Sequence, residues 1–344
     1  MSKEIFYVGS FEDKLTVCTF DSETLEMDIV NTVPHEHRPA QLCLNRETNR
    51  LYTANENSDG PGGVSSYDIT DPYAPVLTGD IKPGNNGPGF ISLSPDGKYL
   101  AGGLYFNGLV ELYSLDDDHN VKEVCDKYEL NTTGPIFHEL FGQIRPRSHC
   151  AVFLGDTGLL AATDYAGDRL LIFSYRGGKL RIVSEYQFPA GEEIRHIERS
   201  PIFSDIIYVN SESASKAYSI RINEKGDIKV LCECDTYRGS EKNETAAIIM
   251  SSDGRHLYVS NRGPNTLAVI DVTGDGEKIE LKGELTDTVG YCRDIGFSKN
   301  EEFMLTASMF ENRVYLHRMD RSTGMPVYTG KYITVGTPTN VTFI

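Results

Sequence analysis

Apolar residues in this chain fall into short runs broken by Gly, Asp, Asn, Ser and Pro, and the pattern repeats. Two stretches show the unit most plainly: Pro88 to Leu100 (PGFISLSPDGKYL) and Thr245 to Arg262 (TAAIIMSSDGRHLYVSNR). Each opens with a run that is apolar at successive positions, as a strand covered on both faces must be. A tight turn follows at Ser94 to Gly97 and Ser251 to Gly254, because Asp favours the turn and Gly tolerates positive φ. A second run, Leu257 to Ser260, ends in polar residues; a third, Thr266 to Asp271, alternates; a fourth, Lys278 to Leu285, is the most polar. The unit is therefore four strands graded from buried to exposed.

Copies of the unit open near residues 38, 87, 147, 194, 245 and 292. A spacing of roughly 45–60 residues is that of four-stranded propeller blades. The ends complete the count. Ile5 to Gly9 (IFYVG) reads as a second strand with no first strand before it, and Pro338 to Ile344 as a first strand with nothing after it. Residues 338–344 then complete the blade begun by residues 1–34, which removes the open edge an unfinished blade would leave. The prediction is an all-β chain: one seven-bladed β-propeller domain over residues 1–344, its ring closed by the C-terminal strand. The longest irregular piece, residues 131–147, lies between the third and fourth blades.

Composition agrees with many strands and tight turns: 32 Gly, 19 Tyr and 15 Phe, with no Trp. No apolar run approaches the ~18 residues of a membrane span. Residues 1–6 lack the basic and apolar character of a signal peptide, which predicts a cytoplasmic protein. Seven scattered cysteines suit reduced thiols. Cys232 and Cys234 share one face of a strand, but with no second pair they predict no zinc site. The net charge of −17 argues against nucleic-acid binding, which needs a basic footprint.

In such a ring the starts of the first strands and the ends of the second strands converge on one mouth. The first set holds His37-Arg38, Pro88-Gly89, Ser148-His149, Arg195-His196, Thr245-Ala246, Cys292-Arg293 and Thr339-Asn340. The second holds Ser10, Asn55-Glu56, Leu104-Tyr105, Asp164-Tyr165, Ser211-Glu212, Asn261-Arg262 and Ser308-Met309. Arginines gathered at one mouth of an acidic protein suggest a small-anion site, since their forks take carboxylate or phosphate. They also suit ion pairs between blades, with Glu56, Glu212 or Asp294 as partners. His35, His37 and His119 read as surface, and His138 as a residue that leans over the mouth or does not. Zinc-protease, P-loop and nucleophile-elbow motifs are missing from the sequence.

With Arg147 to Cys150 (RSHC), Ile194 to Ile197 (IRHI), Val209 to Glu212 (VNSE), Ser260 to Gly263 (SNRG) and Cys292 to Ile295 (CRDI), the chain resembles the seven-bladed propeller lactonases. That family includes a bacterial 6-phosphogluconolactonase type and the carboxy-cis,cis-muconate lactonising enzyme. The resemblance implies His149, Arg195, Glu212 and Arg262 or Arg293 as the functional group. The chain departs from the family pattern at Ile248, Cys292, Leu104 and Ser308.

The expectation that follows is hydrolysis of an anionic sugar lactone in carbohydrate metabolism, with His149, Glu212 and Arg195 catalytic. Arg262, Arg293, Asn55, Glu56, His196 and Asp164 would bind the substrate. His149 would activate water, and Glu212 would orient it or give a proton to the departing ring oxygen. No cofactor, metal, nucleic acid or membrane is expected, and the protein would be a monomer or weak homodimer. A muconate-type cycloisomerase and a non-enzymatic binding propeller are the alternatives.

Overall fold

Seven four-stranded antiparallel sheets stand around a common axis in the computed structural model, which describes residues 3–132, 145–286 and 289–344. The blades begin at the strands Pro39–Asn45, Phe90–Leu93, Ser148–Phe153, Ile194–Arg199, Glu244–Met250 and Cys292–Phe297, within three residues of the starts read from the sequence. The remaining blade is the composite one. Its inner strand is Pro338–Phe343, followed by Glu4–Ser10, Lys14–Asp21 and Glu26–Pro34. Phe6 pairs with Phe343 and Val8 with Val341 across the closing ladder, so the ends of the chain meet inside one sheet.

Burial is graded as the hydrophobic pattern requires. Every residue of Leu159–Asp164, a second strand, is buried, whereas the fourth strand of that blade, Arg181–Gln187, is mostly exposed. The turns expected at Ser94 and Ser251 form alike. Each serine hydroxyl donates to the aspartate two residues on at 2.7 Å, and Gly97 and Gly254 take positive φ of 65° and 71°.

Hydrophobic clusters lie between neighbouring blades rather than within them. One joins Cys150, Val152 and Leu170 of the fourth blade to Ile197, Val209 and Tyr218 of the fifth. A recurrent tyrosine supplements this packing. Tyr7, Tyr52, Tyr208 and Tyr258, each on a second strand, donate a hydroxyl hydrogen bond to a carbonyl of the next blade at 2.8–3.0 Å. A buried tyrosine hydroxyl needs such a partner. These carbonyls supply it, which accounts for part of the tyrosine richness of a chain without tryptophan.

The inner strands carry the feature that builds the site. In six of them the ladder slips near the mouth, as between Ile194 and Ile197 or between Cys292 and Asp294. A bulge breaks the strict alternation of side chains and re-aims them. Consecutive residues therefore both reach the axis: Arg195 with His196, and Arg293 with Asp294.

Candidate functional site

A cavity of about 810 Å³ occupies the axis of the ring. It extends from Glu56, His149 and Arg293 at the mouth to Lys299 and Glu301 in a turn at the opposite face. Of the residues expected at the site, Glu56, His149, Arg195, His196 and Arg293 line it.

Arg195 is buried, and its Nε lies 2.7 Å from Glu212 Oε2. The other carboxylate oxygen, Oε1, lies 2.8 Å from Arg262 Nη2. One carboxylate thus bridges two guanidiniums from neighbouring blades. Burial raises the Glu212 pKa, but Arg262, Arg195 and Arg293 outweigh it and hold the group below the usual carboxylate range. Glu212 is therefore ionised, and the expected role as proton donor does not fit. It makes no hydrogen bond to His149 among the described residues either, so it does not orient that ring.

Arg262 is fully engaged. Besides Glu212 it donates to the carbonyls of Glu244 and Thr245 and to the hydroxyl of Tyr291, at 3.1–3.3 Å. Arg195 donates from Nη1 to the Ala246 carbonyl at 2.5 Å, and the same nitrogen lies 3.2 and 3.3 Å from the two ring nitrogens of His196. Near-equal distances place it against the imidazole face rather than in line with one lone pair. Burial lowers the Arg195 pKa to about 10, so it stays charged at neutral pH.

Arg293 differs from both. It lines the cavity and makes no ion pair or hydrogen bond among the described residues, its guanidinium lying 5.4 Å from the Phe11 ring centre. Burial and then Arg262 lower its pKa, and Glu56, Tyr291 and Glu212 act against them. It is the guanidinium whose donors remain for a ligand.

His149 is buried against His196, with ring centres 4.8 Å apart, and against Tyr105 at 5.8 Å. Its Nδ1 has no hydrogen-bond partner among the described residues. Burial, reinforced by Arg195, lowers its pKa well below the ordinary value, so the ring is neutral. His196 is neutral for the same reasons.

Four expectations need correcting. Asp164 faces away from the cavity and holds Arg169 at 2.7 Å, since the end of its strand points along the blade. Asn55 spends its amide inside its own blade, donating to Ser65 Oγ and accepting from Thr53. Arg38 pairs with Asp59 at the exposed rim. His35 is buried rather than on the surface, its Nε2 2.9 Å from Ser65 Oγ. His138 lies outside the described residues, as does most of the 131–147 piece.

Two groups on the cavity wall were not singled out as site residues: Asp294 and Glu198. Burial pushes the Asp294 carboxyl up to about 7 and the Glu198 carboxyl up to about 8. Asp294 stood in the sequence beside Arg293, but strict strand alternation points adjacent residues to opposite faces. The bulge overrides that rule. Among the described residues no group of three or more metal-ligating side chains occurs, and no helix is long and apolar enough to cross a membrane.

The chain resembles known proteins over its whole length. A 6-phosphogluconolactonase of Bacillus subtilis is 24% identical, covering 100% of this chain and 99% of its own length. An uncharacterised protein of Lactococcus lactis subsp. cremoris is 28% identical over 94% of each chain. The crystallised periplasmic gluconolactonase of Pseudomonas aeruginosa superposes with a TM-score of 0.91 at 22% identity, over 100% of this chain and 99% of that one. A family model described as lactonase, 7-bladed beta-propeller, matches residues 5–343, and the chain belongs to that family.

Proposed function

We propose that the protein hydrolyses an anionic sugar lactone, of the 6-phosphogluconolactone type, at the mouth of the channel. The observation that carries this reading is Arg293. Its guanidinium lines a cavity shared with Arg195 and His149 and makes no ion pair or hydrogen bond among the described residues. A cavity-facing guanidinium whose donors are unused is completed by an anionic ligand. A phosphate or carboxylate does so, and the fork geometry suits either.

The chemistry follows from the neighbours. Arg293, with Arg195 beside it, holds the anionic group and places the lactone carbonyl against positive charge. A donor aimed at a developing oxyanion contributes about 3–4 kcal/mol. His149, neutral and on the cavity wall, takes a proton from the attacking water. Its lowered basicity weakens it as a base, but a sugar lactone is a reactive ester. General base catalysis of roughly 10²–10⁴-fold then gives useful turnover. Glu212 holds Arg195 and Arg262 in place rather than reacting. The names of the Bacillus and Pseudomonas relatives both denote lactone hydrolysis and support the same class. All seven cysteines are free thiols, which supports a reducing compartment.

The test is hydrolysis of freshly generated 6-phosphogluconolactone against the spontaneous rate, with His149→Ala as control. Acceleration that collapses in the variant is expected. Turnover of a muconate instead would identify a cycloisomerase, and no turnover of either would favour a binding propeller.

A further inference from the structure

Lactone opening needs an acid as well as a base, and Glu212 is not available for it. The cavity wall offers four other acidic side chains: Glu56, Glu198 and Asp294, and Glu301 in the turn at the opposite face, far from the mouth. We propose that Asp294 is the catalytic acid that protonates the ring oxygen as the lactone opens. The inference rests on the reading of the mouth as a lactone-hydrolysing site.

Position argues for it first. The bulge after Cys292 turns Arg293 and Asp294 into the cavity together, so the acid stands next to the guanidinium that would hold the substrate anion. Hydrogen bonding argues second. Asp294 Oδ2 accepts from Asn340 Nδ2 at 2.7 Å and from the Val341 amide at 2.9 Å. Both donors come from the strand that closes the ring. These donors, with the Ile295 amide, fix the orientation of the carboxyl and favour its ionised form, so it is burial that keeps the proton on.

The surroundings argue third. Arg195 and Arg293 bear on Asp294 from its own and a nearby strand, and they favour the carboxylate. Glu198 bears on it from below, with its own carboxyl bonded to the Met250 amide at 3.3 Å. Ala246, Ala247 and Ile248 of the adjacent inner strand add only apolar wall, and the neighbouring histidines 149 and 196 are neutral. Burial outweighs the arginines and keeps the proton on Asp294 up to about pH 7. Glu198 is one layer deeper, and among the influences on it no arginine of the mouth appears. Glu56 accepts no hydrogen bond that would fix one oxygen among the described residues.

The step balances. His149 takes a proton from water as its oxygen adds to the carbonyl carbon. The ring C–O bond then breaks, and the departing oxygen takes the proton of Asp294. The new carboxylic acid ionises, and the imidazolium proton returns to Asp294 through solvent in the cavity. One lactone and one water give one hydroxy-carboxylate and one proton.

The test is the pH–rate profile of 6-phosphogluconolactone hydrolysis by wild type, Asp294→Asn and Glu56→Gln, with 6-phosphogluconate affinity measured on each. We expect the wild-type kcat to fall above about pH 7. Asp294→Asn should lower kcat by roughly 10²–10⁴-fold and lose that limb, with KM and 6-phosphogluconate affinity within about threefold of wild type. Retained affinity shows that the variant is folded. An active wild type with an unchanged profile in Asp294→Asn overturns the assignment, as does loss of the limb in Glu56→Gln instead. Loss of kcat with the alkaline limb intact also overturns it, since a structural defect gives that result. A wild type without turnover at any pH overturns the hydrolase reading itself, and the acid role with it.

Discussion

Arg195 Nε sits 2.7 Å from Glu212 Oε2, on a carboxylate whose other oxygen is 2.8 Å from Arg262. The contact ties the inner strand of the fifth blade to the end of its second strand, and Arg262 extends the tie to the sixth blade. Arg195 is thereby held rigid at the cavity, while Arg293 on the same cavity wall makes no ion pair among the described residues. Two arginines that look alike in sequence therefore have different surroundings.

Removing the shared carboxylate should therefore be costly. Glu212→Ala leaves two buried guanidiniums facing each other, and breaking a buried pair costs about 3–5 kcal/mol. Urea unfolding at pH 7 should show a lower midpoint by a corresponding amount. A midpoint equal to wild type would mean the bridge is solvated and weak.

Arg293 predicts the opposite balance. Arg293→Met removes a half-buried charge that makes no ion pair among the described residues, so it should cost far less stability than Glu212→Ala. Affinity for 6-phosphogluconate should fall about 10- to 100-fold, the loss of one charged hydrogen-bonding partner. Calorimetric titration and a thermal melt of the same sample check both halves. Unchanged affinity would remove Arg293 from the anion site.

Acid stability should depend on His317. It is fully buried, its Nε2 is 3.1 Å from Thr306 Oγ1, and burial lowers its pKa to about 4. The unfolded chain, with a histidine pKa near 6.5, takes up the proton first as pH falls. The contribution is complete above about pH 6.5 and is lost progressively towards pH 4, at about 1.4 kcal/mol per pH unit. Between pH 7 and 4.5 wild type should lose roughly 2–3 kcal/mol more than His317→Gln. Urea titrations at the two pH values measure the difference, and parallel losses would refute it.

The closing strand predicts a cooperative effect. Phe343 is nearly buried and packs on Phe6 and Phe20, with ring centres 5.4 and 6.3 Å away. Phe343→Ala should cost about 3–5 kcal/mol, as large-to-small changes in a packed core do. Because this strand also carries Asn340 and Val341, which hold Asp294, lactonase turnover should fall in parallel. A large drop in melting temperature with full activity would separate closure from the site.

Much of this was legible in the residues. Strand grading, the Ser-x-Asp-Gly turns and the split blade follow from period-two patterning and turn chemistry, which act over a few neighbours. Arg195, His149 and Arg293 were legible as mouth residues because strand starts in a ring must converge. Asp164 and Asn55 were placed wrongly by the same rule. Strand ends share a face of the disc, but each side chain finds its nearest polar partner, and for these two the partner lies within the blade. His35 looked like surface because it flanks Glu36 in a connecting segment. Its burial comes from Ser65, on a strand about thirty residues away.

The sequence by itself thus determined the strands, their number and the closing of the ring, because local alternation and turn residues specify them. Only the tertiary structure decided which arginine is paired and which is open, and that Asp294 shares the cavity with Arg293. Those outcomes depend on bulges and on ion pairing across blades, where a shift of one residue redirects a side chain and no local pattern records it.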